Sequence, residues 1–286
     1  MGTREKTMKN SQIVIKKVIG AVVYCLVCIL VIVPIVLMFI NSFKSNDEML
    51  RNLSGLPKKW TISSYVSIFT TYSSLIRHFF NSIIISIVST VLGTFFCTLG
   101  AYSFAKYRFK GKRILFAILL ATMMIPMEVV MPGQYMLFSR LKMINTLMVQ
   151  ILPTVPAVIG IYMIRQYLVG IPDSLMESAR IDGAGHMRTF TSIVIPVASP
   201  IVSAYAILHF LNVWTDYTWP LLVATKSSVM PIMVSLPTLV DSVVGFIPVW
   251  GTIMAGSVLC SLPLIFVFIL NQDKLMSSVV LGAVKG

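Results

Sequence analysis

The chain has few charged residues, and acidic ones are the scarcest. Of its 286 residues only 12% are charged and 57% are hydrophobic, and the mean hydropathy is +0.88. Soluble domains usually carry about 25% charged residues. Because so few charges cannot cover a water-exposed surface, much of the surface must face lipid. The composition therefore excludes an ordinary soluble domain and predicts a single bundle of membrane helices.

Several patterns that carry chemistry are also missing. The sequence has no G-x-x-x-x-G-K-[ST] loop for nucleotide phosphates and no H-E-x-x-H zinc motif. It has no Ser-His-Asp candidate at membrane depth and no cluster of metal ligands. We therefore expect no catalytic activity, and no cofactor or metal bound by this chain.

Cysteine is rare, and its four positions lie within apolar runs, at Cys25, Cys28, Cys97 and Cys260. The first two have the C-x-x-C spacing of redox and metal sites. Their neighbours are apolar, however, and a thiol in lipid is a poor thiolate, which is the reactive and ligating form. We interpret all four as inert packing residues.

Basic residues exceed acidic ones, 23 against 10, for a formal net charge of +13. The bases stand at the ends of apolar runs, and no basic stripe is interleaved with aromatic residues. This pattern indicates topology determinants beside anionic lipid headgroups rather than a nucleic-acid surface. No nucleic-acid partner is expected.

The apolar runs predict an all-α, polytopic membrane protein with about six transmembrane helices. A bilayer core needs about 20 apolar residues as helix. The first run is too long for a signal peptide core and lacks a small-residue cleavage site, so it is interpreted as an uncleaved helix. The predicted spans are Val18–Ile40, Phe79–Ala105, Ile114–Leu137, Thr146–Tyr167, Pro200–Val223 and Thr252–Leu270.

The distribution of Lys and Arg predicts the orientation. With the N-terminus inside, 15 bases fall on inner segments and eight on outer ones, as the retention of bases in the cytoplasm requires. We expect a cytoplasmic tail at 1–17, a transmembrane domain at 18–271 and a cytoplasmic tail at 272–286. The loop at 44–77, which this orientation places outside, fits least well, because it carries five of the bases.

A compact polar insert separates the fourth and fifth spans, at about residues 170–197. Ser174 stands three residues before Glu177, which fits a capping box that opens a helix. Gly183 suits a left-handed helix end. A second short helix is expected from about His186 to Val194. The insert is thus predicted to be a helix–Gly–helix hairpin on the cytoplasmic side of the membrane, where its small residues allow another protein to dock closely.

This insert resembles the EAA motif of binding-protein-dependent ABC importer permeases, E-A-A-x3-G-x9-I-x-L-P. Ser178 replaces an Ala of the pattern and Ile195 replaces a Leu. The matching positions are Glu177, Ser178, Ala179, Gly183, Ile193, Ile195 and Pro196.

Further segments are similar to the carbohydrate branch of that family, which includes MalG-like maltose permease subunits. They are Asn81–Ser82, Ala101–Tyr102 with the bases that follow, Met124–Pro126, residues 182–184, the stretch LNVWTDYTWPLL at 211–222, and Gly282–Gly286. The resemblance covers about residues 15–286 and is weaker over 271–280.

The resemblance implies an ATP-driven sugar or oligosaccharide importer in the cell membrane of a prokaryote. Its expected partners are membrane lipid, a second homologous permease, two cytoplasmic ATPase subunits and an extracytoplasmic solute-binding protein. ATP and Mg²⁺ would be used by the ATPase. By position, Glu177 would accept a charge-assisted hydrogen bond from the ATPase, while Ala179 and Gly183 would permit close approach. Asp182, beside Gly183, joins this expected coupling set.

Two acids lie within predicted spans, Glu128 and Asp216. Acids at membrane depth are costly unless paired or hydrated, roughly 2.5–3.5 kcal/mol at the centre on insertion scales. We therefore expect each to face a water-filled pathway or a partner group, with Asn212 and His209 as candidate pathway-lining neighbours of Asp216. The alternatives are that Asp216 caps a helix or holds an interhelix contact, and that His209 is a packing residue.

The rival interpretation is a secondary transporter or channel that works without ATP. Such proteins more often show repeated halves, and none is visible here. They also have no need of a docked insert.

Overall fold

The structure, a computed structural model, describes residues 2–240, 243–244 and 247–283. Its helices in the first half are α1 Gly2–Asn41, α2 Asn46–Arg51, α3 Ser63–Thr70, α4 Ser74–Lys106, α5 Lys112–Thr122, α6 Met127–Arg140, α7 Met148–Ile151, a 3-10 turn Leu152–Thr154 and α8 Val158–Val169. Those in the second half are α9 Ser174–Ile181, α10 His186–Thr189, a π-helical turn Phe190–Val194, α11 Ile195–Val197, α12 Ser199–Thr215, α13 Thr218–Val223, α14 Ile232–Ser235, a 3-10 turn Pro237–Val240 and α15 Trp250–Ala283. Two-residue strands β1 Val243–Val244 and β2 Ile247–Pro248 pair antiparallel, with Val243 opposite Pro248.

The prediction of an all-α polytopic membrane protein is confirmed. Four stretches are long and apolar enough to cross a membrane: Lys16–Asn41, Ser74–Lys106, Met148–Val169, which includes the non-helical residues 155–157, and Trp250–Gln272. Two bent pairs of helices bring the number to six if each pair is one span. The helices α1 and α15 run across the predicted boundaries at 17/18 and 271/272, which therefore mark a change in hydropathy rather than helix ends.

Two predicted spans are broken in the structure. The third bends by 98° between α5 and α6, because Pro126 has no N–H and disfavours helical backbone before it. The fifth ends at Thr215 rather than at residue 223, since Asp216 is extended (φ −65°, ψ 128°) and α13 starts afresh at Thr218. Placing Asp216 inside a continuous helix was therefore wrong.

The chain divides into two compact units, residues 1–71 with 239–259 and residues 72–238 with 260–286. In the first unit, Lys44 is fully buried at the end of α1 and donates to the carbonyl oxygens of Asn52 and Gly55. Gly251 packs so closely that a Cβ there would lie 2.5 Å from Ser64 Oγ. The loop predicted at 44–77 is thus an ordered structure that contains α2 and α3.

The second unit is built on α4, which packs against α8 and α12. These helices approach closely at glycines. A Cβ on Gly160 of α8 would lie 2.2 Å from the ring of Tyr205, and a Cβ on Gly93 of α4 would lie 2.8 Å from Nε2 of His209. Small residues at helix crossings are typical of membrane proteins. In lipid the hydrophobic effect does not drive helices together, so van der Waals packing stabilises their contact.

Three basic side chains cap helix ends in this unit. They supply donors to carbonyl groups that a helix leaves unpaired in its last turn. The bonds run from Arg165 Nε to Phe104 O (3.1 Å), from Lys112 Nζ to Ala105 O (3.3 Å) and Tyr107 O (2.8 Å), and from Lys106 Nζ to Ile171 O. The bases that the sequence assigns to topology therefore also pair carbonyl groups at the end of α4 and just beyond α8.

The other end of α4 is tied to the segment between α13 and α14 by polar side chains. The bonds join His78 Nε2 to Ser227 O (2.8 Å), Asn81 Nδ2 to Ser228 O (3.1 Å) and Met230 O (3.0 Å), and Ile232 N to Ser82 Oγ (2.9 Å). An irregular backbone at a membrane boundary needs such partners. We call residues 227–232, which base counting predicts to lie on the external side, the outer segment.

Replacing Gly160 by alanine tests the helix crossing. The added methyl group meets the buried ring of Tyr205, and overpacking typically costs about 1–3 kcal/mol. We expect Gly160→Ala to lower the thermal unfolding temperature of the purified protein. Gly133→Ala in α6 is the control, because no neighbour lies within 4 Å of its Cβ. Equal unfolding temperatures for both variants would contradict the crossing.

Candidate functional site

The insert between α8 and α12 forms the predicted hairpin, with α9 as its first arm and residues 186–197 as its second. Gly183 has φ +77°, in the left-handed region that favours glycine. The Ala184 N–H donates to the carbonyl of Ala179 at 2.9 Å, the six-to-one bond of a Schellman helix end. The prediction that Gly183 ends the first helix is confirmed.

The start of α9 differs from the prediction. The N–H of Glu177 donates to the carbonyl of Asp173 at 3.1 Å, so Asp173 holds the cap position and Ser174 is the first helical residue. The predicted capping box is therefore not formed, because Met176 rather than Glu177 lies three residues after the cap. The Ser178 hydroxyl instead donates back to the Ser174 carbonyl, at 3.0 Å.

The second arm contains a π-helical turn, Phe190–Val194, immediately before Ile195 and Pro196. Proline lacks the N–H that would continue the α-helical bonds, and π turns are a common adjustment at such places. The arm then bends by 82° into α12 at Ala198. Pro200, in the first turn of α12, favours this break.

The hairpin has one buried face and one exposed face. Met176, Phe190 and Val194 join the core that contains residues of α4, α8 and α12. The coupling residues expected from the sequence divide between the faces. Glu177, Ser178, Asp182, Gly183 and Pro196 are exposed, Ile193 and Ile195 are half-buried against the core, and Ala179 is 5% exposed.

Polar contacts from the end of α4 also hold the hairpin. Lys106 Nζ lies 2.7 Å from Asp173 Oδ1, and the Tyr107 hydroxyl lies 2.7 Å from His186 Nδ1. The hydrogen bond from Lys106 holds the pKa of the Asp173 carboxyl below its usual value. Sequence reasoning missed these contacts, because the partners are 67 and 79 residues apart.

An open cavity of about 450 Å³ lies beside Glu177. Lys106, Arg108 and Asp173 also contribute to its lining. The exposed carboxylate of Glu177 therefore stands next to a concave, charged surface. Ile181, 86% exposed, extends the same arm with an apolar side chain. An exposed carboxylate, a cavity and an apolar side chain together form a surface that can receive another protein.

The four expected pathway residues have different surroundings. Glu128 is exposed in the first turn of α6, and Asn212 is exposed on α12. Asp216 is half-buried, with the backbone N–H groups of residues 217–219 beside its carboxylate, which favours the capping alternative. His209 is 5% exposed and contacts the Thr154 carbonyl at 2.9 Å, which favours the packing alternative.

The family model for the inner membrane component of binding-protein-dependent transport systems matches residues 93–276. That range includes the whole hairpin. The chain belongs to this family. It is accordingly a membrane-embedded permease subunit of an importer and not an enzyme, and the rival interpretation as an ATP-independent transporter or channel falls away.

Relatives and a solved structure agree with this assignment. The arabinooligosaccharides transport system permease protein AraQ of Halalkalibacterium halodurans is 32% identical over 92% of this chain and 94% of its own. The sn-glycerol-3-phosphate transport system permease protein UgpE of Brucella abortus is 29% identical over 90% and 94%. A bacterial ABC transporter that imports the acidic polysaccharide alginate shares the fold, with TM-score 0.82, 23% identity and coverage of 91% and 96%.

Replacing Gly183 by alanine tests the turn between the two arms. A side chain at φ +77° costs roughly 1–2 kcal/mol, which corresponds to about 5- to 30-fold faster opening. We expect faster amide hydrogen exchange in α9. Gly185→Ala is the matched control, because Gly185 has φ −67° and no neighbour within 4 Å of its Cβ. Equal rates of amide hydrogen exchange in both variants would show that the turn does not require the left-handed backbone at residue 183.

Proposed function

We propose that this permease forms half of the translocation pathway of an ATP-driven sugar or oligosaccharide importer, and that its hairpin docks on a cytoplasmic ATPase. The observation that carries the proposal is the two-faced hairpin. One face is anchored in the core of α4, α8 and α12, and the other presents Glu177, Ser178 and Gly183 outward. A surface anchored in this way can transfer force from a docked protein to the membrane helices.

The exposed face suits a close, charge-assisted contact. Glu177 offers a carboxylate from the first turn of α9, and a basic or N–H donor on the ATPase would bind it more strongly than a neutral pair. Gly183 has no side chain to hold the partner away. Ala179 acts from beneath, since its small side chain lets α9 lie against the core. ATP and Mg²⁺ would be bound by the ATPase and not by this chain.

The proposed orientation places both termini and the hairpin in the cytoplasm. The contact of Lys106 with Asp173 supports it, because the bond joins two of the segments that base counting assigns to the inner side. On that side the partners would be two ATPase subunits. A second, homologous permease would complete the pathway within the membrane, and a solute-binding protein would deliver substrate from outside.

A carbohydrate substrate is supported by the relatives and by the chemistry of the exposed polar residues. AraQ is named for arabinooligosaccharides. Asn212 and Tyr217 are exposed, and Glu128 is exposed on another span. Amides and acids bind sugar hydroxyls, and aromatic rings pack against apolar sugar faces. We assign Glu128, Asn212 and Asp216 to the pathway, with Asp216 also capping α13, while His209 supports it from the packed side.

Removal of the Glu177 carboxylate tests the docking. A hydrogen bond to a charged group contributes about 1.5–3 kcal/mol, so Glu177→Ala should weaken ATPase binding roughly 10- to 150-fold. The measurement is the amount of ATPase that co-purifies with the permease, together with substrate uptake. Ser174→Ala, an exposed position at the start of the same helix, should change neither. Normal uptake and full ATPase recovery with Glu177→Ala would contradict the proposal.

Deletion of the chain tests the substrate class. We expect the deletion strain to lose growth on one or more oligosaccharides and to keep growth on glucose. Ligand screening of the cognate solute-binding protein should return the same sugars. Loss of growth on glycerol phosphate alone, with a binding protein selective for it, would replace the sugar by a polyol phosphate.

A further inference from the structure

Two residues at the C-terminal end of α4 contact both arms of the hairpin. Lys106 bonds to Asp173, which caps the first arm, and Tyr107 bonds to His186, which begins the second. We call Lys106 and Tyr107 the clasp. We propose that the clasp fixes the hairpin to α4 and that α4 carries hairpin movement to the outer segment, residues 227–232. The inference rests on the proposed docking of the hairpin on an ATPase.

The two partners of the Lys106 contact differ in their exposure to water. The Lys106 side chain is 7% exposed, whereas that of Asp173 is 70% exposed. The ammonium group also donates to the carbonyl of Ile171, just beyond α8. Since a desolvated charge is costly to separate from its partners, the end of α8 and the start of α9 are constrained to follow α4.

The Tyr107 contact holds the second arm by a bond and by ring packing. The hydroxyl lies 2.7 Å from His186 Nδ1, and the two ring centroids are 5.5 Å apart. Tyr102, one turn earlier on α4, packs against Tyr107 at 5.2 Å and against Phe190 of the π-helical turn at 5.8 Å. Aromatic pairs at such distances contribute beyond simple burial.

Apolar packing alone would leave the hairpin freer to tilt. The first arm is only eight residues long, and glycines at 183 and 185 join it to the second. Burial of Met176 and Ala179 is non-directional. It therefore resists separation of the hairpin from α4 more than it resists rotation of the hairpin against α4. Two directional bonds, one on each arm, fix the orientation and make the pair of arms move with α4.

α4 is suited to carry such movement. It is 33 residues long, which corresponds to about 50 Å at 1.5 Å per residue. Among the six spans in the described part of the chain, α4 alone contains no proline, and prolines are the commonest cause of helix kinks. At its other end, His78 and Asn81 bond to the outer segment. One unbroken helix therefore joins the hairpin to the outer segment.

The test uses the complete transporter reconstituted in vesicles with its ATPase and solute-binding protein. Lys106→Met with Tyr107→Phe removes the polar atoms of the clasp and keeps most of the volume. We expect substrate uptake per bound ATPase to fall at least tenfold. The ratio of ATP hydrolysed to substrate transported should rise accordingly. A merely structural cap would not change this ratio in the assembled complex.

Matched variants separate the clasp from general damage. Lys110→Met removes a charge from an exposed position between α4 and α5, and it should leave the ratio of ATP hydrolysed to substrate transported unchanged. Lys106→Arg, which keeps the cation, should restore most of the uptake. Asn81→Leu, at the opposite end of α4, should raise the ratio as the clasp variant does. Where the double variant fails to assemble, Asp173→Asn and Tyr107→Phe singly should each raise the ratio.

Two results would overturn different parts of the argument. A clasp variant with normal uptake and a normal ratio, beside a Glu177→Ala variant that loses uptake, would refute the clasp and leave the proposed docking intact. Normal uptake in both variants would refute the docking itself.

Discussion

Close packing of α4 against α8 and α12 is the constraint on which the second unit depends. Gly93 and Gly160 bring the helices so near that a single methyl group would overlap His209 or Tyr205. In lipid there is no water to expel from between helices, so tight van der Waals contact has to supply the stabilisation. The three helices therefore form a rigid frame, and shorter elements are attached to it.

The ends of α4 show how polar groups are managed where a membrane helix stops. At one end, Arg165 and Lys112 donate hydrogen bonds to carbonyl groups of the last turn. At the other, His78 and Asn81 hold irregular backbone in place. Unpaired backbone groups near lipid are costly. The same bonds that avoid this cost connect α4 to α8 and α5 at one end and to the outer segment at the other.

The first helix, α1, is strongly apolar but is not buried within the chain. Its apolar window has no buried residue, although it is among the most hydrophobic parts of the chain. A helix that is hydrophobic all round is normally covered by lipid or by other helices. Within its own unit, order comes instead from the buried ammonium of Lys44, which gathers the carbonyls of Asn52 and Gly55. That unit therefore combines this polar contact with buried apolar residues such as Met49 and Ile68.

The sequence by itself determined the class of protein, the number of spans and the position of the hairpin. These follow from local properties: hydropathy over about 20 residues, the left-handed preference of Gly183, and the missing N–H of proline. Tertiary structure alone decided that Asp173 rather than Ser174 caps α9, that His209 is buried in packing, and that Lys106 and Tyr107 reach the two arms of the hairpin. Those outcomes depend on residues far apart in the chain, whose meeting is set by how α4, α8 and α12 cross. No local pattern encodes a crossing, because it results from the summed fit of many side chains.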